Sequence, residues 1–221
     1  MLRLTEIKLP LDHAEQALGA AIRARLGLRD GELVAYTIFR RGVDARKKSA
    51  IAFIYTLDVS TTRDAELLKI HAADPHVVAT PDTAYRFVDS GEPVPARRAD
   101  TALMRPVVIG TGPCGILAAL ILAQMGLRPL ILERGKAVRE RTKDTWGFWR
   151  KSVLDPESNV QFGEGGAGTF SDGKLYSQIK DPRHYGRKVL AEFVKAGAPE
   201  EILFVSKPLI GTFRLVKMVE H

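Results

Sequence analysis

Apolar and polar positions change period along the first 90 residues, and the changes mark out short elements. LRLTEIKLP (2–10) is strand-like. Asp12, with Glu15 three residues later, forms a capping box ahead of an amphipathic run. Ala14, Ala17, Leu18, Ala21 and Ile22 share one face of that run, and Gly27 is placed to end it. ELVAYTIFRR (32–41) and SAIAFIYTLDVS (49–60) are β-branched and aromatic, and they flank the basic turn GVDARKK. In the second of them Ile51, Phe53, Tyr55 and Leu57 alternate onto one side. The pattern predicts a second helix over 62–73, stopped by Asp74 and Pro75, and a last strand in TAYRFVDSG (83–91).

The resulting order, βαββαβ, is that of a ferredoxin-like α+β domain, in which two helices cover one face of an antiparallel sheet. Such domains host RNA binding, metal binding and protein contacts alike, so the order assigns no function. The basic residues Arg40, Arg41, Arg46, Lys47 and Lys48 around the hairpin read as edge protection more readily than as a docking patch. SGEPVPARRADTALMRP (90–106) has three prolines and no periodicity, as a linker would. Beyond it the pattern becomes strand, glycine turn, helix, strand: RPVVI, then ILAALILAQM ended by Gly126, then RPLILERG. The expected division is a ferredoxin-like domain over 1–90, a linker over 91–105, and an incomplete Rossmann-like domain over 106–221. The overall class is α/β.

Length and composition fit two modest soluble domains: 221 residues, 45% hydrophobic and 27% charged. The single cysteine, Cys114, rules out an internal disulfide or a CxxC pair and suggests a reducing, cytoplasmic compartment. The uncharged run over 106–127 imitates a membrane span, but Gly110, Gly112, Pro113 and Gly115 would break a helix there. No membrane association is expected. Residues 1–100 carry 15 Lys and Arg against 14 Asp and Glu, whereas 101–221 carry 18 against 12. Much of the excess lies in Arg134, Lys136, Arg139, Arg141, Lys143, Arg150 and Lys151, read as a solvated helix face in preference to a nucleic-acid patch.

The chemistry-bearing stretch is VVIGTGPCGILAALILA (107–123), where Gly110, Gly112 and Gly115 give the spacing G-x-G-x-x-G between a strand and a helix. Gly110 would allow the tight turn, Gly112 the approach of a pyrophosphate, and Gly115 the close packing of helix on strand. The anion would meet free N–H groups at the positive end of the helix. Glu133 ends the second strand 23 residues after Gly110, where a carboxylate binds ribose hydroxyls and repels a 2′-phosphate. A second loop, NVQFGEGGAGTFSDGKL (159–175), gathers Gly163, Gly165, Gly166, Gly168 and Gly173. So much flexible backbone is costly unless the chain needs unusual dihedrals or a close approach to a ligand. Cys114 reads as a small residue filling a tight turn, not as a nucleophile.

Together GTGPCG…LERG and FGEGGAGTFSDGKL resemble a bacterial FAD-dependent dehydrogenase family within the FAD/NAD(P)-binding oxidoreductases of the glutathione-reductase type. The N-terminal DARKK and the late KPLIGTFRLVKMVE extend the resemblance over essentially the whole chain. It implies that Gly110, Thr111, Gly112, Pro113 and Gly115 hold the FAD pyrophosphate. Glu133 would bind the adenosine ribose, with Arg134 beside the adenine half. Gly165, Gly166, Gly168 and Thr169 would approach the flavin side. It implies NADH or NADPH as reductant, assigns no catalytic residue, and involves no metal. Family members are longer and close their FAD fold with a late Gly-Asp strand that this sequence lacks, so an N-terminal fragment is expected. The competing readings are a tRNA-modifying flavoprotein and a nonredox nucleotide- or protein-binding module.

Overall fold

The computed structural model describes residues 1–88 and 104–220, so nearly all of the predicted linker lies outside the described residues. The chain is mixed α/β and divides into two units. The first comprises Met1–Thr83 and Glu201–Pro208, the second Ala84–Glu200 and Leu209–His221. The segment Glu201–Pro208, which the sequence pattern places in the second domain, thus packs with the first.

In the first unit β1 (Leu2–Pro10), α1 (Ala17–Leu26), β2 (Leu33–Asp44), β3 (Ala52–Thr61), α2 (Asp64–Ile70) and β4 (Val77–Ala79) follow in the order βαββαβ. The strands form one antiparallel sheet in the spatial order β2-β3-β1-β4. Leu2, Leu4 and Ile7 of β1, Tyr55, Leu57 and Val59 of β3, and Val77 of β4 meet Leu18, Ile22 and Leu26 of α1 and Leu67 of α2 in one core. The spacing 2, 4, 7 works because β1 carries a bulge. Leu4 pairs with Leu57 and Ile7 with Tyr55, so one extra residue is inserted on β1, and Glu6 takes φ +60°. That insertion returns Ile7 to the core face after the alternation has slipped.

Three local expectations are corrected here. The helix begins at Ala17 with Gln16 as its cap and no side-chain capping bond, so Asp12 and Glu15 form no capping box. The turn ahead of it is held instead by His13, whose Nε2 lies 2.7 Å from the Tyr55 hydroxyl. The last strand is Val77–Ala79, not TAYRFVDSG. Residues 83–88 have no regular structure, and 89–91 lie outside the described residues. Tyr85 and Phe87 instead pack in the second unit, where Tyr85 meets Tyr185 edge-on and the Lys188 ammonium lies 5.6 Å and 5.3 Å from the two rings. The second helix is shorter than 62–73, its first turn fixed by Asp64, which accepts from the Thr61 amide at 2.8 Å and hydroxyl at 2.7 Å.

On the sheet face opposite the helices, Arg3 and Asp58 are paired across the ladder and buried. Two parallel hydrogen bonds join them, Nε to Oδ1 at 2.7 Å and an Nη to Oδ2 at 2.9 Å, and the guanidinium lies 3.6 Å from the centre of the Phe39 ring. The edge of β2 is covered by the late segment. Arg41 donates its amide to the Phe204 carbonyl at 2.7 Å, and the Ser206 amide returns to the Arg41 carbonyl at 2.9 Å. The Arg41 guanidinium lies between Phe53 and Phe204, at 5.1 Å and 5.3 Å.

The second unit contains β5 (Val107–Ile109), α3 (Pro113–Gln124), β6 (Leu130–Leu132), α4 (Val138–Lys151), a 3-10 turn (Ala167–Phe170), α5 (Tyr185–Lys195) and α6 (Thr212–Val219). β5 and β6 pair in parallel, register Val107 with Leu130 through Ile109 with Leu132. Apart from half-buried Val108 both strands are exposed, Ile109 to 84%, and Ala119 is the one buried residue of the apolar helix α3. No helix among the described residues is long and apolar enough to cross a membrane.

Removing one member of a buried ion pair strands the other charge, at a cost of about 3 kcal/mol. Asp58→Asn should therefore lower the unfolding free energy of the first unit by about 3 kcal/mol, read from urea unfolding followed by circular dichroism. A change within experimental error would show that the Arg3–Asp58 pair does not anchor the sheet.

Candidate functional site

The β5–α3 connection is a tight turn built on glycine. Gly110 takes φ +91°, and a Cβ on Gly115 would overlap the Gly110 carbonyl oxygen, so the helix can start directly against the turn only if residue 115 has no side chain. Gly112 caps α3 in an extended conformation with Pro113 at the first helical position, which suits a ring that has no N–H to donate. The helix thus starts three residues earlier than the run ILAALILAQM suggests, and its first amides lie beside the turn.

Glu133 stands half-buried just beyond β6 and reaches back to that turn. Its Oε2 accepts from both the amide and the hydroxyl of Thr111, each at 2.6 Å, and its Oε1 accepts from the Gly135 amide at 2.8 Å. Burial pushes the Glu133 carboxyl up, but hydrogen bonds from Thr111, Gly135 and the Arg134 amide outweigh it and hold the group below its ordinary value. The carboxylate on which the sequence expectation places a ribose is therefore first a tie between the second strand and the glycine turn.

The second glycine loop lies against the first. The Gly165 amide donates to the Thr111 carbonyl at 2.9 Å, and Gly166, at φ +64°, packs so closely on Gly112 that a Cβ would come within 2.8 Å of the Gly112 Cα. Gly165, Gly166 and Thr169 are buried. Gly168 is exposed next to Pro113. Gly135 and Gly163 form another backbone-on-backbone contact that a Cβ on Gly135 would overlap. The structure thus brings Gly110, Thr111, Gly112, Pro113, Gly115 and Glu133 into one cluster with Gly165, Gly166, Gly168 and Thr169. Arg134 stands at its margin, exposed, ion-paired to Glu157 at 3.0 Å and 4.1 Å from the Phe162 ring centre. Cys114 is exposed at the second position of α3.

The basic stretch is not uniformly a solvated face. Lys136 is paired with Asp144 and Asp155, and Arg139 with Glu220. Arg141 is wholly buried and donates into the second glycine loop. The charge excess alone does not separate it from its solvated neighbours. The signal in the sequence is its place on the inward stripe of α4, three residues after Val138 and four before Thr145, both also buried. Glu164, likewise unremarked in the sequence, accepts from the Val138 amide at 2.8 Å and caps the start of α4.

Because the Glu133 carboxyl is held low in the fold, its hydrogen bonds stabilise the turn fully at neutral pH. That stabilisation fades as pH falls below the unfolded carboxyl's value near 4.5 and is lost once the folded group is protonated. Amide resonances of Thr111 and Gly135 should accordingly move together only below that value of 4.5. Glu133→Gln should abolish that titration and loosen the turn at pH 7. Independent titration of the two amides would show that no common carboxylate joins them.

Comparison with known proteins adds two findings. Residues 1–60, which run from the N-terminus into β3, match a family model described as a domain of unknown function, DUF8436. A protein of Clostridium beijerinckii, described as an uncharacterized protein, is 39% identical over all 221 residues of this chain. The aligned region therefore includes both units and all the glycine-loop residues described above, and the chain spans 39% of the length of that curated relative.

Proposed function

We propose that the second unit is part of a dinucleotide-binding domain of an FAD-dependent oxidoreductase whose substrate is a small molecule. The observation that carries this reading is the meeting of the two glycine loops at the start of α3, tied to the end of β6 by Glu133. A turn, a helix start and a following acidic strand end in this order are the parts a pyrophosphate and an adenosine ribose need. The parallel β5–β6 pair supports a Rossmann-like sheet, and the order β2-β3-β1-β4 supports a ferredoxin-like first domain.

The residues fit such a ligand. A side chain at 112 would occupy the approach to the backbone, yet Gly112 itself has ordinary φ −66°, so its lack of a side chain is not demanded by its own backbone. The Gly110, Thr111, Gly112, Pro113 and Gly115 turn would hold the pyrophosphate. Glu133 would share its remaining acceptor capacity with a ribose hydroxyl, Arg134 would flank the adenine, and Gly165, Gly166, Gly168 and Thr169 would lie toward the flavin. Bound FAD would supply hydride and electron transfer, with NADH or NADPH as the candidate reductant. The protein's own part is to position the cofactor and exclude water. The pairing of Lys136 and Arg139 with acidic neighbours weighs against the tRNA-modifying alternative. Absence of any nucleotide response would favour the nonredox protein-binding module. A cytoplasmic location accords with the redox argument from the single cysteine.

Val107, Ile109 and all of β6 are exposed, which supports a parallel sheet whose faces need more cover than α3 gives, since parallel sheets are covered on both faces. Binding by the 221-residue chain is therefore expected to be weak. In a titration followed by amide chemical shifts, FAD and ADP should both move Gly110, Thr111 and Gly112, and FMN should not. Gly112→Val should remove the response while leaving the fold's spectrum in place, whereas Gly115→Ala should disrupt the turn itself. No shift at the turn with millimolar FAD, or an equal response to FMN, would overturn the reading.

A further inference from the structure

Arg141 is the largest fully buried side chain among the described residues, and a guanidinium so placed carries a heavy desolvation cost unless its N–H groups are satisfied. Each of its three nitrogens donates into the second glycine loop. Nε donates to the Asn159 carbonyl at 2.7 Å, one Nη to the Glu164 carbonyl at 2.6 Å and to the Thr169 hydroxyl at 3.3 Å, and the other Nη to the Val160 carbonyl at 2.6 Å. The Phe170 ring centre lies 4.9 Å from the guanidinium carbon. No carboxylate is among these partners, so the fork serves to gather backbone oxygens from both ends of one loop. Burial lowers the guanidinium's affinity for its proton and Glu133 opposes that, but an arginine stays charged throughout the range in which proteins fold.

The geometry has a direct consequence for the neighbouring turn. The two ends that Arg141 holds, 159–160 and 164–169, bracket Gly163, Gly165 and Gly166, and Gly165 is the residue that donates to Thr111. The guanidinium stem runs so close to Gly163 that a side chain there would strike it. Fixing Asn159, Val160 and Glu164 on one rigid helical side chain therefore fixes where Gly165 and Gly166 stand against Gly112. A lysine could reach one of these oxygens but cannot present a planar fork to three.

We propose that Arg141 is a positioning residue: it holds the 159–170 loop in the conformation that meets the 110–115 turn, and so sets whether the site can close over the diphosphate of a dinucleotide. The second half rests on the dinucleotide reading above; the first does not. The test uses the full chain with Arg141→Lys, Arg141→Met and Arg141→Ala. In the first two, hydrogen exchange of the Gly165, Gly166 and Thr169 amides should accelerate about tenfold or more, as loss of charge-assisted bonds implies. The Leu190 and Ala191 amides of α5, in the same unit as Arg141, serve as the folding control and should keep their protection. In Arg141→Ala, added methylguanidinium should restore the loop's protection where methylammonium does not, a dependence on fork geometry that simple filling of space would not produce. With FAD, the wild-type chain should show shifts at Gly165 and Gly166 as well as at Gly110, Thr111 and Gly112, and Arg141→Lys only at the last three. Unchanged loop exchange in Arg141→Lys, or equal rescue by the two cations, would overturn the positioning role. FAD-induced shifts absent from the wild-type chain would overturn the dinucleotide half, while the exchange rates would still decide the role of Arg141.

Discussion

Where the two glycine loops meet, backbone has to touch backbone, and much of the second unit is arranged around that constraint. Gly115 lies against the Gly110 carbonyl, Gly166 against Gly112, and Gly135 against Gly163, and a Cβ on Gly115, Gly166 or Gly135 would displace main chain. Contacts this close cannot be held by side-chain packing between the touching residues, because those residues have none. They are held from outside instead, by a carboxylate from beyond β6, a guanidinium from α4 and the Glu164 cap on α4. The polar groups are costly to bury singly and nearly cost-free once every donor and acceptor is matched, so the cluster is cooperative by construction.

That arrangement explains which parts of the site could be read from the sequence. The glycine spacing and Glu133 were legible because turn geometry demands particular residue types at fixed offsets, with the pattern strand, turn, helix, strand around them. The meeting of the two loops was not, because Thr111 and Gly165 are far apart in sequence and nothing local to either announces the other. Arg141 was hidden for a different reason. It sits among seven basic residues whose composition suggests solvent, and only its phase on α4 separates it from them.

In the first unit the element order was legible and the identity of the last strand was not. TAYRFVDSG has better β-forming residues than HVVA, yet Val77 sits at the end of the short α2 connection and pairs with Leu4, which buries it against the core. Tertiary reach outweighed local propensity. The bulge in β1 was in principle visible as apolar residues at 2, 4, 7 and 9, a broken alternation that only an inserted residue can reconcile with one buried face. The Arg3–Asp58 pair was beyond reach, since register sets it and register is settled by long-range pairing.

The late segment that covers the edge of β2 also has a meaning in time. During synthesis the residues of the four-stranded sheet are complete once Thr83 has been made, but Phe204 and Ser206, which close its outer edge at Arg41, come more than a hundred residues later. At roughly 5–20 residues per second this leaves the nascent sheet with an open ladder for about 6–25 seconds. Over that interval the edge is a template for any neighbouring chain, and the basic run Arg40, Arg41, Arg46, Lys47 and Lys48 carries the same sign of charge on every copy emerging from a polysome. Charge repulsion can guard the strand until the chain's own later segment takes its place.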